Sequence, residues 1–364
     1  MSHISLTGAG GFLGWHTRAA LLATGQTWQE VSLGEGFDAA AVAGAIDGSA
    51  RLVHLAGVNR ASEDEIYDGN VGFAQQLAST LLEVDEPPKT VVYANSTQAG
   101  NETVYGEAKA RAADILQGAA ARVGAEFVDL RLPNLFGEHG RPFYNAVTAT
   151  FCHLLAAGST PEVQQDKELT LLHAQDAADL LIGAVGSATQ EGLEQHETVS
   201  GVLVRLVRQA EIYRRGEIPD VASKFDRDLF NTYRSYLAGS DLPVHLARHA
   251  DARGSFFEII RSHGGAGQSS FSTTAPGISR GDHFHRRKIE RFTVLAGEAR
   301  ISLRRLFTDE VFHFDVNGDE PVAIDMPTMW AHNIENTGDA CLYTSFWTDD
   351  LFDPALPDTI AEVV

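Results

Sequence analysis

The feature that most constrains the fold is a change of pattern near Leu242. Before it, apolar strands alternate with amphipathic helical segments across glycine turns, as in "HISLTGAGGFLGWHTRAALLATG". After it come short, β-rich runs such as "RFTVLAG" and "VFHFDV", broken by Gly, Pro and Asp turns. The first pattern predicts an α/β unit with a parallel sheet, and the second predicts an antiparallel sandwich or barrel. Because 364 residues exceed the size of one hydrophobic core, we expect two domains, residues 1–242 and 243–364.

The charge balance excludes two classes of partner. The chain carries 28 basic and 49 acidic residues, and its net charge of -21 repels phosphate backbones and anionic lipid heads. We therefore expect no nucleic-acid partner and no membrane partner. No secretion signal and no apolar run of ~18 residues is visible in the sequence. Cys152 and Cys341 lack a paired spacing, which indicates buried thiols in a reducing compartment and predicts a cytoplasmic protein.

Three glycines follow the first predicted strand at intervals of three residues: Gly8, Gly11 and Gly14. Such glycines let the chain turn tightly and let a pyrophosphate lie against the N–H groups of the following helix. A glycine-rich turn without a ligand is the alternative interpretation. The other residues expected to contact a dinucleotide open this helix, follow a further apolar strand or lie in the next helix: Phe12, Leu13, Leu55, Ala56, Gly57 and Asn70.

A later strand and helix carry a trio suited to hydride chemistry. Ser96 ends the strand, and Tyr105 and Lys109 lie one turn apart on one face of the helix. A carbonyl that accepts a hydride needs a proton donor, and a phenol with its ordinary pKa near ~10 is a weak acid at neutral pH. A nearby lysine cation lowers that pKa, and Ser96 would hold the carbonyl oxygen, with Thr97 as the alternative. A plain surface helix is the other interpretation of the Tyr–Lys pair.

Together with "RLPNLFG" and "LLHAQDAADLL", these residues resemble the extended short-chain dehydrogenase/reductase family over about residues 1–242. The resemblance implies a Rossmann-type doubly wound parallel sheet, a nicotinamide cofactor and a nucleotide-diphosphate sugar as substrate. It also implies that Arg131, Pro133 and Asn134 lie near the cofactor and the sugar nucleotide. The gap from Ser96 to Tyr105 is shorter than the family usually shows, which predicts a trimmed loop over the sugar.

The last third of the chain holds residues of metal-ligand type. His283 and His285 are one residue apart, and alternation along a strand places them on the same face. Glu290 follows across a turn, and His332 lies in a later strand. Three imidazoles and one carboxylate suit Zn2+ or another divalent ion such as iron, nickel or manganese.

The spacing of these ligands resembles the cupin family. The run Gly277–Gly297 fits the first motif of that family without a gap. Pro327, His332 and Asn336 match the second motif, although Met329 stands where a glycine is usual. The resemblance implies an all-β jelly-roll barrel with a metal site. It does not by itself give a reaction, because this fold supports many.

The stretch "ISRGDHFH" is similar to sugar-nucleotide epimerases, in which a histidine lies beside a 4-keto sugar. In this sequence that residue is His283, which acts either as a ligand or as a base because a metal occupies the lone pair that accepts a proton. We favour the ligand role and take Lys288 as the candidate acid/base residue, with a solvated lysine as the alternative. The candidates for substrate contact are Arg253 and Arg280 on the diphosphate and Tyr144 and Asn145 in the sugar pocket, with surface ion pairs and packing as the alternatives.

The order of the halves resembles fused reductase–epimerase enzymes of capsular-polysaccharide biosynthesis, through "HLAGVNR", "RPFYNAVTATFC" and "ISRGDHFHRRKIERF". The resemblance implies that the cupin domain epimerises C3 of a UDP-2-acetamido-2,6-dideoxy-4-ketohexose. The first domain then reduces the C4 ketone to give UDP-2-acetamido-2,6-dideoxy-L-talose. Fused barrels of this type commonly dimerise, so we expect a homodimer. The alternatives are a monofunctional 4-keto-sugar reductase with a structural cupin module and a non-catalytic NADP-binding scaffold.

Two lines of reasoning favour different nicotinamide cofactors. Glu35 and Asp38 follow the second strand with no basic residue beside them, and an acidic residue there holds a ribose 2′-hydroxyl, which favours NAD. The resemblance to the fused enzymes implies NADPH. We therefore expect NADP(H), with NAD(H) as the alternative.

Overall fold

A computed structural model describes residues 3–237, 239 and 242–364. The chain forms two units, the first from Met1–Phe136 and Leu169–His196 and the second from Gly137–Glu168 and Glu197–Val364. The sequence pattern changes from helices to strands at residue 242, which lies inside the second unit. Within the described ranges, no helix combines the length and the apolar character needed to cross a membrane.

Strands and helices alternate along much of the first half of the chain, and strands dominate the last third. The helices are α1 (Phe12–Ala23), α2 (Ala39–Ile46), α3 (Glu63–Leu81), α4 (Val104–Val123), α5 (Val147–Ala156), α6 (Ala174–Ile182), α7 (Gln190–Leu193), α8 (Val199–Tyr213) and α9 (Lys224–Arg234). The first eight strands are β1 (Ile4–Thr7), β2 (Trp28–Val31), β3 (Arg51–His54), β4 (Thr90–Ser96), β5 (Glu126–Leu132), β6 (Asn134–Phe136), β7 (Glu168–His173) and β8 (Gln195–Thr198). The remaining strands are β9 (Val244–His245), β10 (Arg248–Asp251), β11 (Gly254–Phe257), β12 (Gln268–Thr274), β13 (Ser279–Phe284), β14 (Glu290–Ala296), β15 (Glu298–Arg305), β16 (Val311–Asn317), β17 (Val322–Met326), β18 (Trp330–Asn336), β19 (Leu342–Thr348) and β20 (Ile360–Ala361).

The first unit is built on a parallel five-stranded sheet in the order β2-β1-β3-β4-β5. Side chains of α1 and α6 pack on one face and those of α2, α3 and α4 on the other, which explains why β1 is buried along its whole length. The predicted doubly wound Rossmann-type sheet is therefore confirmed. The strand order reverses between β1 and β3, and ligands of open α/β sheets bind at such a reversal, beyond the carboxyl ends of the strands.

Helix α4 has defined ends that fix the residues it carries. The Thr103 side chain accepts a hydrogen bond from the Gly106 N–H and caps the start of the helix. The helix ends at Gly124, whose φ of 75° is the left-handed conformation that terminates many helices. Helix α3 begins with a capping box between Ser62 and Glu65.

The second unit contains α5, α8 and α9 and two five-stranded antiparallel sheets. Their strand orders are β12-β19-β14-β17-β9 and β16-β15-β18-β13-β20. Apolar side chains of both sheets form one core that includes Phe292 and Ile324 from the first sheet and Ile301 and Ile334 from the second. The antiparallel prediction is confirmed. The described strands form two stacked sheets rather than a closed barrel, because no ladder between named strands joins one sheet to the other.

The two cysteines differ in environment. Cys152 lies in α5 and is buried, as expected. Cys341 precedes β19 and is exposed, so the expectation of a buried thiol is wrong at this position. The reason is that Cys341 belongs to the surface turn between β18 and β19 rather than to a strand interior.

Candidate nucleotide crevice and candidate metal centre

The ends of β1 and β3 are tied together in the first unit. The Thr7 hydroxyl accepts hydrogen bonds from Leu55 N at 3.0 Å and Ala56 N at 3.1 Å, and it lies 2.8 Å from His54 Nδ1. Gly8 has φ 67°, and a Cβ there would lie 2.7 Å from Ala56 N. Only glycine fits this approach, because both the backbone conformation and the space exclude a side chain. The predicted residues Gly8, Leu55 and Ala56 therefore meet at the reversal of the sheet.

Helix α1 opens directly onto this crevice. Gly11 is its N-cap residue and makes no side-chain cap, and the following Phe12 and Leu13 are half-buried. The first N–H groups of a helix have no partner within the helix, and the helix dipole adds partial positive charge there. Uncapped amides at such a position suit a phosphate or pyrophosphate group.

The predicted hydride-chemistry trio is brought together between β4 and α4. The Ser96 side chain lies close enough to the Tyr105 hydroxyl to influence the pKa of this phenol. Burial raises the pKa of Tyr105, and Ser96 lowers it by less, so the phenol stays protonated. The expectation that Lys109 lowers this pKa stays a prediction. Lys109 Nζ donates to the Ala94 carbonyl at 2.8 Å and lies 4.1 Å from the centre of the Tyr93 ring.

Lys109 is itself perturbed by burial. Its ammonium loses hydration, and this lowers the pKa of Lys109 to about 7 although the charge of Asp129 opposes the shift. Asn95 Nδ2 donates to Asp129 Oδ1 at 2.7 Å, which orients that carboxylate. Burial therefore weakens the effect of this lysine as a fixed cation.

The connection from β4 to α4 is short and internally bonded. Ala99 N donates to Ser96 O at 2.9 Å, and Gly100 N donates to Gly106 O at 2.9 Å. Thr103 N donates to Asn101 Oδ1 at 3.1 Å. This geometry agrees with the short spacing seen in the sequence between Ser96 and Tyr105.

In the second unit, the four predicted metal ligands converge from neighbouring strands. His283 lies on β13, His285 follows the end of β13, Glu290 begins β14 and His332 lies on β18. Each residue offers one ligand atom, and these atoms all lie within 4.8 Å of one another. We call this cluster of four residues the cage, and three of its members are buried.

A bulge in β13 aims His283 at the cage. The register against β18 shifts between Gly281 and His283, and Asp282 has φ 55°. Gly281 has φ 113°, and a Cβ there would lie 2.7 Å from His332 O. Glycine therefore allows β13 to approach β18 closely, and the rings of His283 and His332 come to 4.5 Å between centroids.

The charges within the cage match those of a metal site. Glu290 Oε2 lies 3.0 Å from His285 Nε2 and 3.2 Å from His332 Nε2. Burial raises the pKa of Glu290, but the contacts of its carboxylate with these two histidines outweigh burial, so the carboxyl pKa lies well below its usual range. Burial, reinforced by the neighbouring His332 and His285, lowers the pKa of His283 to about 4. Metal binding requires neutral imidazoles and an ionised carboxylate, and the pKa shifts of His283 and Glu290 favour these forms.

The Nδ1 atoms of two cage histidines, which point away from the cage, are hydrogen-bonded to backbone carbonyl groups. His285 Nδ1 lies 2.6 Å from Asp358 O, and His332 Nδ1 lies 3.1 Å from Trp330 O. Because a carbonyl only accepts, each Nδ1 carries the proton and each Nε2 lone pair faces the cage. Metal-bound histidines in proteins are held in this way, so the donor set fits a divalent transition-metal ion such as Zn2+.

The sequence matches two family models in the order of the two sites. Residues 4–199 match the NAD dependent epimerase/dehydratase family, which covers more than half of the chain. The chain belongs to this family. Residues 249–360 match the polysaccharide biosynthesis C-terminal domain.

Two of the relatives of this epimerase/dehydratase family member extend over most of its length, and a third matches about a third of it. A UDP-2-acetamido-2,6-beta-L-arabino-hexul-4-ose reductase from Pseudomonas aeruginosa is 30% identical over 318 residues, 85% of each chain. The crystal structure of the capsular polysaccharide assembling protein CapF from Staphylococcus aureus covers 100% of both chains with 32% identity and a TM-score of 0.62. The spore coat polysaccharide biosynthesis protein SpsL from Bacillus subtilis is 27% identical over 31% of this chain and 81% of its own. The predicted resemblance to fused capsular-polysaccharide enzymes is confirmed.

The other predicted cofactor residue in this family member has a structural role. Asn70 Nδ2 donates to Val58 O and Ile66 O, each at 2.7 Å, and so holds the loop that follows β3. A Cβ on Gly57 would lie 2.8 Å from Asn70 Oδ1, which explains the small residue there. Asn70 thus shapes the crevice through the backbone of that loop.

The residues predicted near the sugar nucleotide fall in both units. Arg131 is exposed, with its Nε 3.3 Å from Asp129 Oδ2, and Asn134 Nδ2 donates to Thr170 O at 3.1 Å. Pro133 is half-buried between β5 and β6. Tyr144 and Asn145 belong to the second unit, where the Arg141 guanidinium stacks on the Tyr144 ring and Asn145 is exposed with φ 53°. Their contact with substrate stays a prediction.

The remaining candidates of the second unit lie in different surroundings. Lys288 lines a cavity of about 220 Å³ beside Glu290, and its Nζ lies 3.3 Å from Thr359 Oγ1. Arg253 is exposed in the turn between β10 and β11 and is paired with Asp251. Arg280 is exposed on β13.

Two side chains that lie beside the candidate sites were missed by sequence reasoning. His54 is buried beneath the crevice, stacked on Tyr93 at 5.3 Å, and its position in the strand "RLVH" is the only signal in the sequence. Burial, with a smaller contribution from the charge of Lys109, lowers the pKa of His54 to about 3. Asp358 contacts the cage from a segment far along the chain, and no local pattern marks it.

Proposed function

We propose that the chain is a bifunctional sugar-nucleotide enzyme. Its C-terminal metal centre epimerises C3 of a UDP-2-acetamido-2,6-dideoxy-4-ketohexose, and its nucleotide crevice reduces the C4 ketone with NADPH. The product is UDP-2-acetamido-2,6-dideoxy-L-talose, on the route to UDP-N-acetyl-L-fucosamine for capsule or O-antigen. The observation that carries the proposal is the presence of a Ser96–Tyr105 proton-donor pair and a three-histidine, one-glutamate cage in one chain. The similarity to a UDP-linked hexul-4-ose reductase supports this substrate class.

The reduction uses the residues at the ends of β1, β3 and β4. Gly8, Gly11 and the first amides of α1 hold the pyrophosphate of the dinucleotide, which supplies a hydride to C4 when bound. Ser96 donates a hydrogen bond to the C4 oxygen. Tyr105, kept protonated by burial, transfers its phenolic proton to that oxygen as the alcohol forms.

The epimerisation uses the cage and the cavity beside it. His283, His285, Glu290 and His332 would hold a divalent ion, which supplies either Lewis acidity toward the C4 oxygen or stability of the site. Lys288 lines the adjoining cavity and is the candidate to accept the C3 proton before one is returned to the opposite face. The C3 proton is acidic only while C4 is a ketone. Epimerisation therefore comes first, and reduction fixes the new configuration.

The proposed cofactor is NADP(H). Asp38 Oδ1 accepts from Ala40 N at 2.9 Å and Ala41 N at 3.1 Å and caps α2, so one oxygen of the carboxylate that the sequence assigns to a ribose hydroxyl is already engaged. Glu35 is left as the acidic side chain that follows β2 and is exposed. Dissociation constants for NADPH and NADH, measured on the same preparation, test this preference, and a tighter constant for NADH would reverse it.

The deciding experiment is NMR of the product formed in deuterated water from UDP-4-keto-6-deoxy-N-acetylhexosamine. With NADPH, we expect a product that carries deuterium at C3 and a hydroxyl at C4. Without NADPH, deuterium should still enter C3 of the ketone. Reduction at C4 with no deuterium at C3 under either condition would leave a monofunctional reductase with a structural metal site.

The assembly proposed for this enzyme is a homodimer. β12 is an edge strand of its sheet, and its exposed Phe271 stacks on Tyr343 of the neighbouring β19 at 6.2 Å. An edge strand with exposed aromatic side chains favours pairing with a second copy. Sedimentation equilibrium should give twice the mass of one chain, and Phe271→Asp should shift it to one. A single-chain mass for the unaltered protein would overturn the proposal.

A further inference from the structure

The turn between β13 and β14 joins two cage residues, because His285 stands at its start and Glu290 at its end. Its geometry therefore sets the distance between an imidazole and the carboxylate of the cage. Turns of this kind expose backbone N–H groups, which need partners when they are sheltered from water. The partners of these four amides come from the C-terminal part of the chain.

Two carboxylates bind the four successive amides of this turn. Asp358 Oδ1 accepts from Arg286 N at 3.1 Å, and Asp358 Oδ2 accepts from Arg287 N and Lys288 N, each at 2.8 Å. The next amide, Ile289 N, donates to Asp349 Oδ1 at 2.7 Å. Hydrogen bonds to an ionised acceptor are stronger than those between neutral groups, so Asp358 holds the turn firmly.

The backbone of Asp358 contacts the same site. Its carbonyl oxygen lies 2.6 Å from His285 Nδ1, and its φ is 43°. In this left-handed conformation both the carboxylate and the carbonyl of one residue face the turn. Aspartate and asparagine tolerate it better than most residues.

We infer that Asp358 is a positioning residue of the metal centre. Its carboxylate fixes the path of the turn, and its carbonyl keeps the His285 proton on Nδ1 so that Nε2 faces the ion. This inference rests on the proposed metal function. Groups that orient metal ligands in this way typically change metal affinity by about 10- to 100-fold when they are lost.

The same residue joins the metal centre to the wall of the substrate cavity. The segment 350–358 supplies Leu351, Phe352, Leu356 and Asp358 to the cavity that Glu290 and Lys288 line from the other side. Because Asp358 belongs to this segment and binds the turn, we expect its loss to disturb the cavity wall as well as the metal centre.

The test compares Asp358→Asn with Asp353→Asn in the full chain after metal removal. Asparagine keeps the size and the left-handed preference of Asp358, but its single acceptor oxygen cannot serve three N–H groups. Asp353 lines the same cavity and accepts from Ala355 N at 2.8 Å, within its own segment. It is therefore a matched control for the loss of one carboxylate.

Zn2+ affinity is measured by competition with a chromophoric chelator, and amide hydrogen exchange is measured on metal-free protein. We expect Asp358→Asn to bind Zn2+ about 10- to 100-fold more weakly, with Asp353→Asn within about twofold of the unaltered protein. Amides 286–288 should exchange faster in Asp358→Asn alone. NADPH affinity should stay constant in both variants, which reports an intact first unit.

The possible results distinguish a failure of the role assigned to Asp358 from a failure of the proposed metal centre. Equal Zn2+ affinity and equal exchange in the two variants would overturn the role of Asp358 while leaving the metal centre standing. Failure of the unaltered protein to bind Zn2+ would overturn the proposed metal centre. In that case the exchange of amides 286–288 still decides whether Asp358 holds the turn.

Discussion

The nucleotide crevice and the metal centre are built from different parts of the chain. The crevice is made of backbone, with Gly8 pressed against Ala56 and the uncapped amides of α1 beside it. The cage is made of side chains from three strands and the turn after β13, and two of its histidines are oriented by the carbonyl groups of Asp358 and Trp330. A backbone site is sensitive to any added Cβ, whereas a side-chain site is sensitive to the groups that orient its ligands.

The pKa shifts in the two sites favour opposite charge states. In the crevice, burial raises the pKa of Tyr105 and lowers the pKa of Lys109 to about 7, so both side chains move toward their neutral forms. In the cage, the contacts with two histidines outweigh burial and keep the pKa of Glu290 below its usual range. A protonated phenol suits proton donation to a ketone, and an ionised carboxylate suits a cation.

The largest effect that would separate the two sites is expected for Tyr105→Phe. Loss of the proton donor should reduce NADPH oxidation with the 4-keto sugar by about 10²- to 10⁴-fold. Deuterium uptake at C3 should be unchanged, because the cage does not use this residue. Tyr67→Phe, at an exposed position of α3, is the control. An equal loss of deuterium exchange at C3 in Tyr105→Phe would contradict the proposal that the two sites catalyse separate steps.

Two glycine substitutions, one in the nucleotide crevice and one beside the cage, test whether the two sites bind their ligands independently. Gly8→Ala and Gly281→Ala each place a Cβ 2.7 Å from a backbone atom at positive φ. Strain of about 1–3 kcal/mol at each position predicts a loss of roughly tenfold or more in affinity. Calorimetric titration should show weaker NADPH binding only in Gly8→Ala and weaker Zn2+ binding only in Gly281→Ala.

The control for this pair is Gly118→Ala. A Cβ at Gly118, inside α4, meets nothing within 4 Å, so both affinities should stay unchanged. If Gly8→Ala and Gly281→Ala each weakened both ligands, the sites would be coupled rather than separate.

The smallest effect is expected for Lys109→Met, which should change how the free energy of unfolding depends on pH. The pKa of Lys109 is about 7 in the folded protein, below the value of ~10.4 expected for an unfolded chain. Between these values the unfolded chain binds more protons, so folding stability rises with pH from about 7 to about 10. Lys109→Met should remove this contribution, which is at most ~1.4 kcal/mol per pH unit. Urea unfolding at pH 7, 8 and 9 measures it, and equal slopes for both proteins would contradict the prediction.

The parts of the sites that lie close together in sequence were predictable. Gly8, Tyr105 and the pair His283 and His285 occur in short strand–turn segments whose chemistry is readable from spacing. The direction of the Lys109 side chain was not predictable, because burial against Tyr93 depends on strand packing. Asp358 was not predictable either. It reaches Arg286 N across a separation of 72 residues, and an aspartate in a polar C-terminal segment has no distinguishing pattern.

The connection between β4 and α4 is held by its own hydrogen bonds, and this bears on whether the segment moves during a catalytic cycle. Ser96 and Tyr105 are joined by a stretch whose amides are already engaged, as in the bond from Gly100 N to Gly106 O at 2.9 Å. A stiff link of this kind does not swing over a substrate as a mobile flap does. We therefore expect Tyr105 to be in place before substrate binds, and the rate of the proposed reduction to depend on steps other than movement of this segment.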